Sequence, residues 1–154
     1  MTSDLPNDDF SARQSWLAVL ARATLSELEA VFPTLGELPP LKQVRAPEVG
    51  MVMLRGRVGG TGNPFNLGEA SVVRCAVRLG DGPLGVAYAL GRNKRRAELA
   101  AILDALLQDP AHHDGLQRCL VAPLASAQAQ AGAQRRREAA SSKVEFFTLV
   151  RGEA

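Results

Sequence analysis

"RGRVGGTGNPFNLGEASVVRC", Arg55 to Cys75, sets three glycines within four positions beside a cluster of arginines, and its reading decides how the rest of the chain folds. A phosphate-cradling P-loop needs a lysine and a Ser/Thr directly after its last glycine, whereas Gly62 is followed by Asn63, Pro64 and Phe65. A dinucleotide loop needs its third glycine where Phe65 stands, and a helix after it. The residues beyond Phe65 alternate like a strand instead. The stretch therefore reads as a turn whose glycines permit positive φ, with contact to an anion left open.

Working outward, the region from Leu41 to Gly91 breaks into strand-like runs separated by turn residues: "LKQVRA", "PEVG", "MVMLRGRV", the glycine loop, "ASVVRCAVRL", "GDGP" and "LGVAYAL". These predict a four-strand antiparallel meander, with Asp81-Gly82 as its clearest hairpin mark. Ahead of it, "SARQSWLAVLARATLSELEAVF" predicts two short helices. Trp16, Leu17 and Leu20 lie at helical spacing in the first, and Thr24 with Glu27 forms a capping box for the second. "GELPPLK" is a stiff linker. After the meander, "NKRRAELAAILDALLQD" predicts a helix capped by Asn93 and ended by Pro110, with Leu99, Ile102, Leu103 and Leu106 on one stripe. A shorter helical piece follows over "HHDGLQRCLVAPL", then an alanine-rich helix over "ASAQAQAGAQRRREAASS" that has little to bury and belongs on the outside. "KVEFFTLVRG" is strand-like and is expected to join the sheet. The fold class is α+β: an antiparallel sheet of about four strands plus a C-terminal one, carrying helices from both ends of the chain.

A chain of 154 residues suits one domain, expected over 1–154 with 1–10 as a flexible tail. The net charge of +2 is too small to argue for nucleic acid, so any electrostatic case rests on clustering. "RNKRR" (92–96) and "RRR" (135–137) are such clusters, but consecutive helical positions point around the axis and no aromatics interleave, which argues against a nucleic-acid platform. "MTSDLPNDDF" lacks the regions of a signal peptide, and no apolar run approaches the roughly 20 residues of a membrane span, so a reducing cytoplasm is the expected home. Cys75 and Cys119 are expected to be free thiols packed as small hydrophobes. His112 and His113 diverge by about 100° on a helix and do not jointly face a metal. No serine has a nucleophile-elbow context and no carboxylate pair stands out, so no catalytic residue and no metal site is assigned.

Strand alternation sends residues of equal parity to one face. Met51, Met53, Arg55 and Arg57 then share a face, as do Arg74 and Arg78. Pairing of the two strands would set four guanidinium groups on one side, where like charges repel unless something negative lies between them. One reading is a docking surface for an anion or an acidic partner; the other is a solvated face whose arginines pair with Glu48, Glu69 or Glu145.

"RVGGTGNPFNLGEASVVRCAVRL", "GRNKRRAELAAILDAL", "VAPL" and "SKVEFFTLVRGEA", in this order, resemble the PhnG family, a small subunit of the bacterial carbon-phosphorus lyase system, from about Ser15 to the C-terminus. The resemblance implies assembly with PhnH, PhnI and PhnJ core subunits and the ATP-binding-cassette-like PhnL. It implies an activity that transfers the ribose triphosphate of ATP to methylphosphonate and releases adenine, with PhnJ performing the later radical cleavage. ATP is then the substrate of the assembly, and no cofactor is expected on this chain alone. The role implied here is a structural partner that exposes apolar surface and self-associates when isolated. The alternatives are direct contribution of the glycine turn and arginines to the triphosphate site, or an independent anion-binding module. Motif matches make Arg57, Gly59, Gly60, Thr61, Gly62, Arg74 and Arg78 candidates for contact with an anion or partner, and Phe146, Phe147 and Arg151 candidates for an interface. Arg55 lies outside the motif.

Overall fold

The computed structural model describes residues 7–142, with side chains from Ser11 onward. Two helices, α1 (Asn7–Arg22) and α2 (Leu25–Glu29), lead into the strands β1 (Leu41–Arg57), β2 (Pro64–Leu79) and β3 (Leu84–Leu90). Helices α3 (Lys94–Leu107), α4 (Pro110–Leu116) and α5 (Ala122–Ser141) complete the order, the last two joined by a π-type turn over Gln117–Val121. The strands form one antiparallel sheet in the order β1-β2-β3, and the class is α+β.

The sheet has three strands among the described residues where four were expected, because "PEVG" is not a turn. β1 runs straight through it with two register shifts, between Gln43 and Arg45 and between Arg45 and Glu48. Each shift gives β1 one more residue than β2 opposite it, so the strand bulges. A bulge leaves a residue outside the ladder, and Pro47, which has no N–H to donate, is accommodated there without interrupting the strand. The strand expected over "KVEFFTLVRG" lies outside the described residues.

One face of the sheet is covered by helices. Along β2, Val73, Cys75, Val77 and Leu79 are buried, and along β3 so are Gly85, Ala87 and Ala89. Helix α3 lies across them, and Gly85 explains how closely: a Cβ there would stand 2.0 Å from the Ala101 carbonyl oxygen. From Ala97 to Leu107 every α3 residue except Glu98 is buried, since α1, α2 and α4 cover the flanks that the sheet leaves. The Thr24–Glu27 capping box forms as expected, and Asn93 caps α3 through the Arg96 amide at 2.9 Å. Pro110 opens α4 rather than closing α3, which ends at Leu107; Pro110 occupies the first turn, where a missing N–H is harmless. Helix α5 buries none of its residues fully, matching its alanine-rich composition.

Within the core lies one charged group that sequence reading did not single out. The Asp104 carboxylate, fully buried, accepts from Arg13 Nη2 at 2.7 Å, from Trp16 Nε1 at 2.8 Å and from the Val86 amide at 2.9 Å. These bonds tie α1 and β3 to α3. Cys75 is buried as expected, but Cys119 is exposed, because the π-type turn rotates it away from the core that Leu120 and Val121 enter.

Candidate functional site

The opposite face of the sheet has no helix on it among the described residues. Direct pairing assigns its members: Lys42 opposite Arg78, Arg45 opposite Ala76, Glu48 opposite Arg74, then Tyr88 and Leu84 on β3 opposite Arg74 and Arg78. Tyr88 and Leu90 are both more than half exposed. At the centre Glu48 bridges two cations, accepting from Arg45 Nη1 at 2.7 Å and from Arg74 Nε. The hydrogen bond from Arg45, with that from Arg74, holds the Glu48 carboxyl below its ordinary range; Tyr88 and Glu48 hold Arg74 more firmly protonated than usual.

The four-arginine stripe does not form. Met51 and Met53 pair with Ser71 and Glu69, on the face of Val73, while Val52 and Leu54 pair with Ala70 and Gly68, on the face of Arg74. Alternation groups the apolar Val52 and Leu54 apart from the arginines, yet it is this pair that shares the face of Arg74. Arg57 pairs with Pro64, ten residues along β2 from Arg74, so the two stand about 33 Å apart along the strand. Arg74 and Arg78 do share a face, with Ala76 between them. The structure thus brings together Arg74, Arg78, Lys42, Arg45 and Glu48, and leaves Arg57 with the glycine turn. Phe146, Phe147 and Arg151 lie outside the described residues.

The glycine stretch closes the hairpin between β1 and β2. Gly59 and Gly60 have φ of 60° and 84°, conformations that other residues rarely take. The Thr61 and Gly62 amides both donate to the Val58 carbonyl, the latter at 2.7 Å, and the Val58 amide donates to the Asn63 carbonyl at 3.3 Å. Arg57 Nη1 donates to the Gly62 carbonyl at 3.2 Å. Three of the loop's amides are therefore turned inward, and the positive φ of Gly59 and Gly60 explains those glycines by the turn itself. Gly62 is also required sterically, since a Cβ there would meet the Val58 oxygen at 2.5 Å.

Because β3 pairs only with Val72–Arg78, the far half of the β1–β2 hairpin, Met51–Arg57 with Pro64–Ser71, projects as a two-stranded arm. Six of the ten exposed large hydrophobic residues among those described lie on this arm or its turn: Met51, Met53, Leu54, Val58, Phe65 and Leu67. They occupy both faces. The sequence carried this signal, since apolar residues filled both parities of "MVML", but alternation reasoning forced one set inward.

Elsewhere the chemistry is sparse. The His112 Nδ1 faces Asp109 Oδ2 at 2.9 Å and the His113 Nδ1 faces the Leu107 carbonyl at 2.7 Å, so the adjacent rings are committed to different partners. His112 rims a hollow of about 380 Å³ whose lining includes Asp81, Gln108 and Asp109 but no hydroxyl or thiol. No three His, Cys, Asp or Glu among the described residues cluster as metal ligands, and no described helix is long and apolar enough to cross a membrane.

Among the described residues, fold and site define a small α+β protein whose sheet is covered by helices on one face and carries apolar and cationic side chains on the other face and on the projecting arm. The family described as "Phosphonate metabolism protein PhnG" matches residues 11–152, and the chain belongs to that family. It is 45% identical over 141 residues, covering 92% of this chain and 90% of the relative, to a Rhizobium meliloti (strain 1021) protein named alpha-D-ribose 1-methylphosphonate 5-triphosphate synthase subunit PhnG.

Proposed function

We propose that the chain is a non-catalytic subunit of an alpha-D-ribose 1-methylphosphonate 5-triphosphate synthase. In this reading, the assembly transfers the ribose 5-triphosphate of ATP to methylphosphonate and releases adenine, and PhnH-, PhnI- and PhnL-like chains are its partners, with a PhnJ-like chain acting afterwards. ATP belongs to the assembly, and the present chain completes the assembly's structure rather than its chemistry.

The observation that carries this is the arm. A two-stranded ribbon is marginally stable in water, and this one displays apolar side chains on both faces with no core of its own. Such surface on a subunit is covered by neighbouring chains. Two further features support a structural role. The glycine turn spends its Val58, Thr61 and Gly62 amides internally, which disfavours it as a triphosphate cradle, and Arg74 is already matched to Glu48.

Co-expression of a tagged chain with the PhnH-, PhnI- and PhnL-like proteins tests the proposal. A stable complex that releases adenine from ATP only when methylphosphonate and every subunit are present is the expected result. A folded chain that recovers no partner overturns it, and tight ATP binding by the isolated chain would favour an independent anion-binding module instead.

A further inference from the structure

The exposed arm has a shape and a charge pattern that together specify what covers it. Met53 stands on the face of Val73 and Leu54 on the face of Arg74, and both are exposed, as is Leu67, the extra residue where β2 bulges between Asn66 and Gly68. Phe65 lies across Gly56, with its ring carbons about 3.2 Å from where a Cβ would be, so the aromatic covers the glycine gap and stiffens the ribbon. A flat surface covers one face of a ribbon and leaves the other wet. Only a cleft or clasp covers both.

The edges point the same way. Edge strands are commonly protected by bulges, prolines or lysines. The near half of β1 has two bulges and Pro47, whereas from Met51 to Arg57 it has neither proline nor lysine. Among the described residues, the β1 edge of the ribbon is left ready for contact over about 23 Å, while its β2 edge carries Pro64 and the Leu67 bulge.

Charge then discriminates between occupants. Arg55 and Arg57 stand near the tip, against Glu69 as the arm's acidic residue. The base of the hairpin carries Lys42, Arg45, Arg74 and Arg78 against Glu48. Two copies packed arm to arm in parallel would set tip arginines against tip arginines; packed head to tail they would set the tip against the cationic base. Like charges meet in both arrangements.

We infer that the arm of Met51–Arg57 and Pro64–Ser71 inserts into an apolar cleft of a different protein chain, whose carboxylates surround the arm's tip. This rests on the subunit reading above and names the surface that serves it.

The test uses the complete set of synthase subunits co-expressed with the tagged chain, in wild-type form and with Met53→Glu, Leu54→Glu or the pair Arg55→Glu and Arg57→Glu. All four positions are exposed, so circular dichroism should match wild type, and thermal unfolding should fall only slightly, since Met53 lies opposite Glu69 and Arg57 holds the Gly62 carbonyl. Met53→Glu and Leu54→Glu, on opposite faces, are each expected to weaken recovery of partner at least about tenfold, as burying a charge in an interface core does. The arginine reversal is expected to weaken it most at low salt. Loss with only one of the two apolar variants would mean a flat docking surface and overturn the cleft. Undiminished recovery with both would overturn the inference while leaving the subunit reading intact. Wild-type chain that recovers no partner would overturn both. Sedimentation of the chain alone as an arm-dependent dimer that excludes the other subunits would assign the arm to a second copy and likewise sink the inference.

Discussion

Asp104 shows how one residue can organise three elements. Its carboxylate takes the Arg13 guanidinium, the Trp16 indole N–H and the Val86 amide, so removing it strands several donors at once. Asp104→Ala is expected to cost about 3 kcal/mol, at the low end for a broken buried ion pair because the Arg13 side chain keeps part of its surface in water. Urea unfolding should show a lower midpoint with little change in slope, and Asp104→Asn, which keeps an acceptor, should lose less. The two thiols give a second test at this scale. Burial pushes the Cys75 thiol up to about 11, so it stays protonated at pH 8, whereas Cys119 is exposed. Native protein should label one thiol quickly with a disulfide reagent, and the second only after unfolding. Glu48 supplies a titration. Its folded-state value lies below the ordinary 4.5, so its pairing is complete above that pH and is lost as pH falls through the lowered value. Arg45→Ala and Arg74→Ala should each raise the carboxyl midpoint, read by NMR, since both guanidiniums donate to Glu48.

At the scale of elements, the contact between α3 and the sheet is set by a glycine. Any side chain at Gly85 collides with the Ala101 carbonyl and with Ala105, both parts of a helix buried on nearly every side. Gly85→Ala should therefore destabilise by about 1–3 kcal/mol or more, seen as a lowered thermal midpoint, because α3 must shift off β3. Most elements were legible because their signals are local. Thr24 and Glu27 are three residues apart, Asn93 precedes its helix directly, and Asp81-Gly82 marks a hairpin without outside help. The strand count was not legible in the same way. "PEVG" carries ordinary turn residues, and only the ladder with β2 shows that Pro47 occupies a bulge in a continuous strand. The assignment of strand faces failed for another reason: apolar residues fill both parities of "MVML", so alternation there does not say which set shares the face of Val73, and only the ladder with β2 decides it.

At the scale of the whole molecule, the described residues divide into a well-packed half and a half that exposes apolar side chains. Trp16, Leu20, Leu28, Leu99, Leu103 and Leu107 fill the helical side, while the other sheet face and the arm hold Tyr88, Leu90 and the apolar ribbon in water. The isolated chain is accordingly expected to bind an apolar fluorescent dye and to lose that signal when its partners join. Equal dye binding before and after assembly would count against coverage of this surface.

The sequence by itself determined the α+β class, the helix caps, the glycine-dependent turn and the family, since each rests on residues close together in the chain or on motifs in order. Tertiary structure alone decided that Asp104 lies at the centre of a buried network, that Arg57 is far from Arg74, and that apolar residues of the arm remain outside. The physical reason is that burial and proximity are properties of register and packing. A slip of one residue in a ladder moves a side chain from core to solvent, and that slip is written only where two distant strands meet.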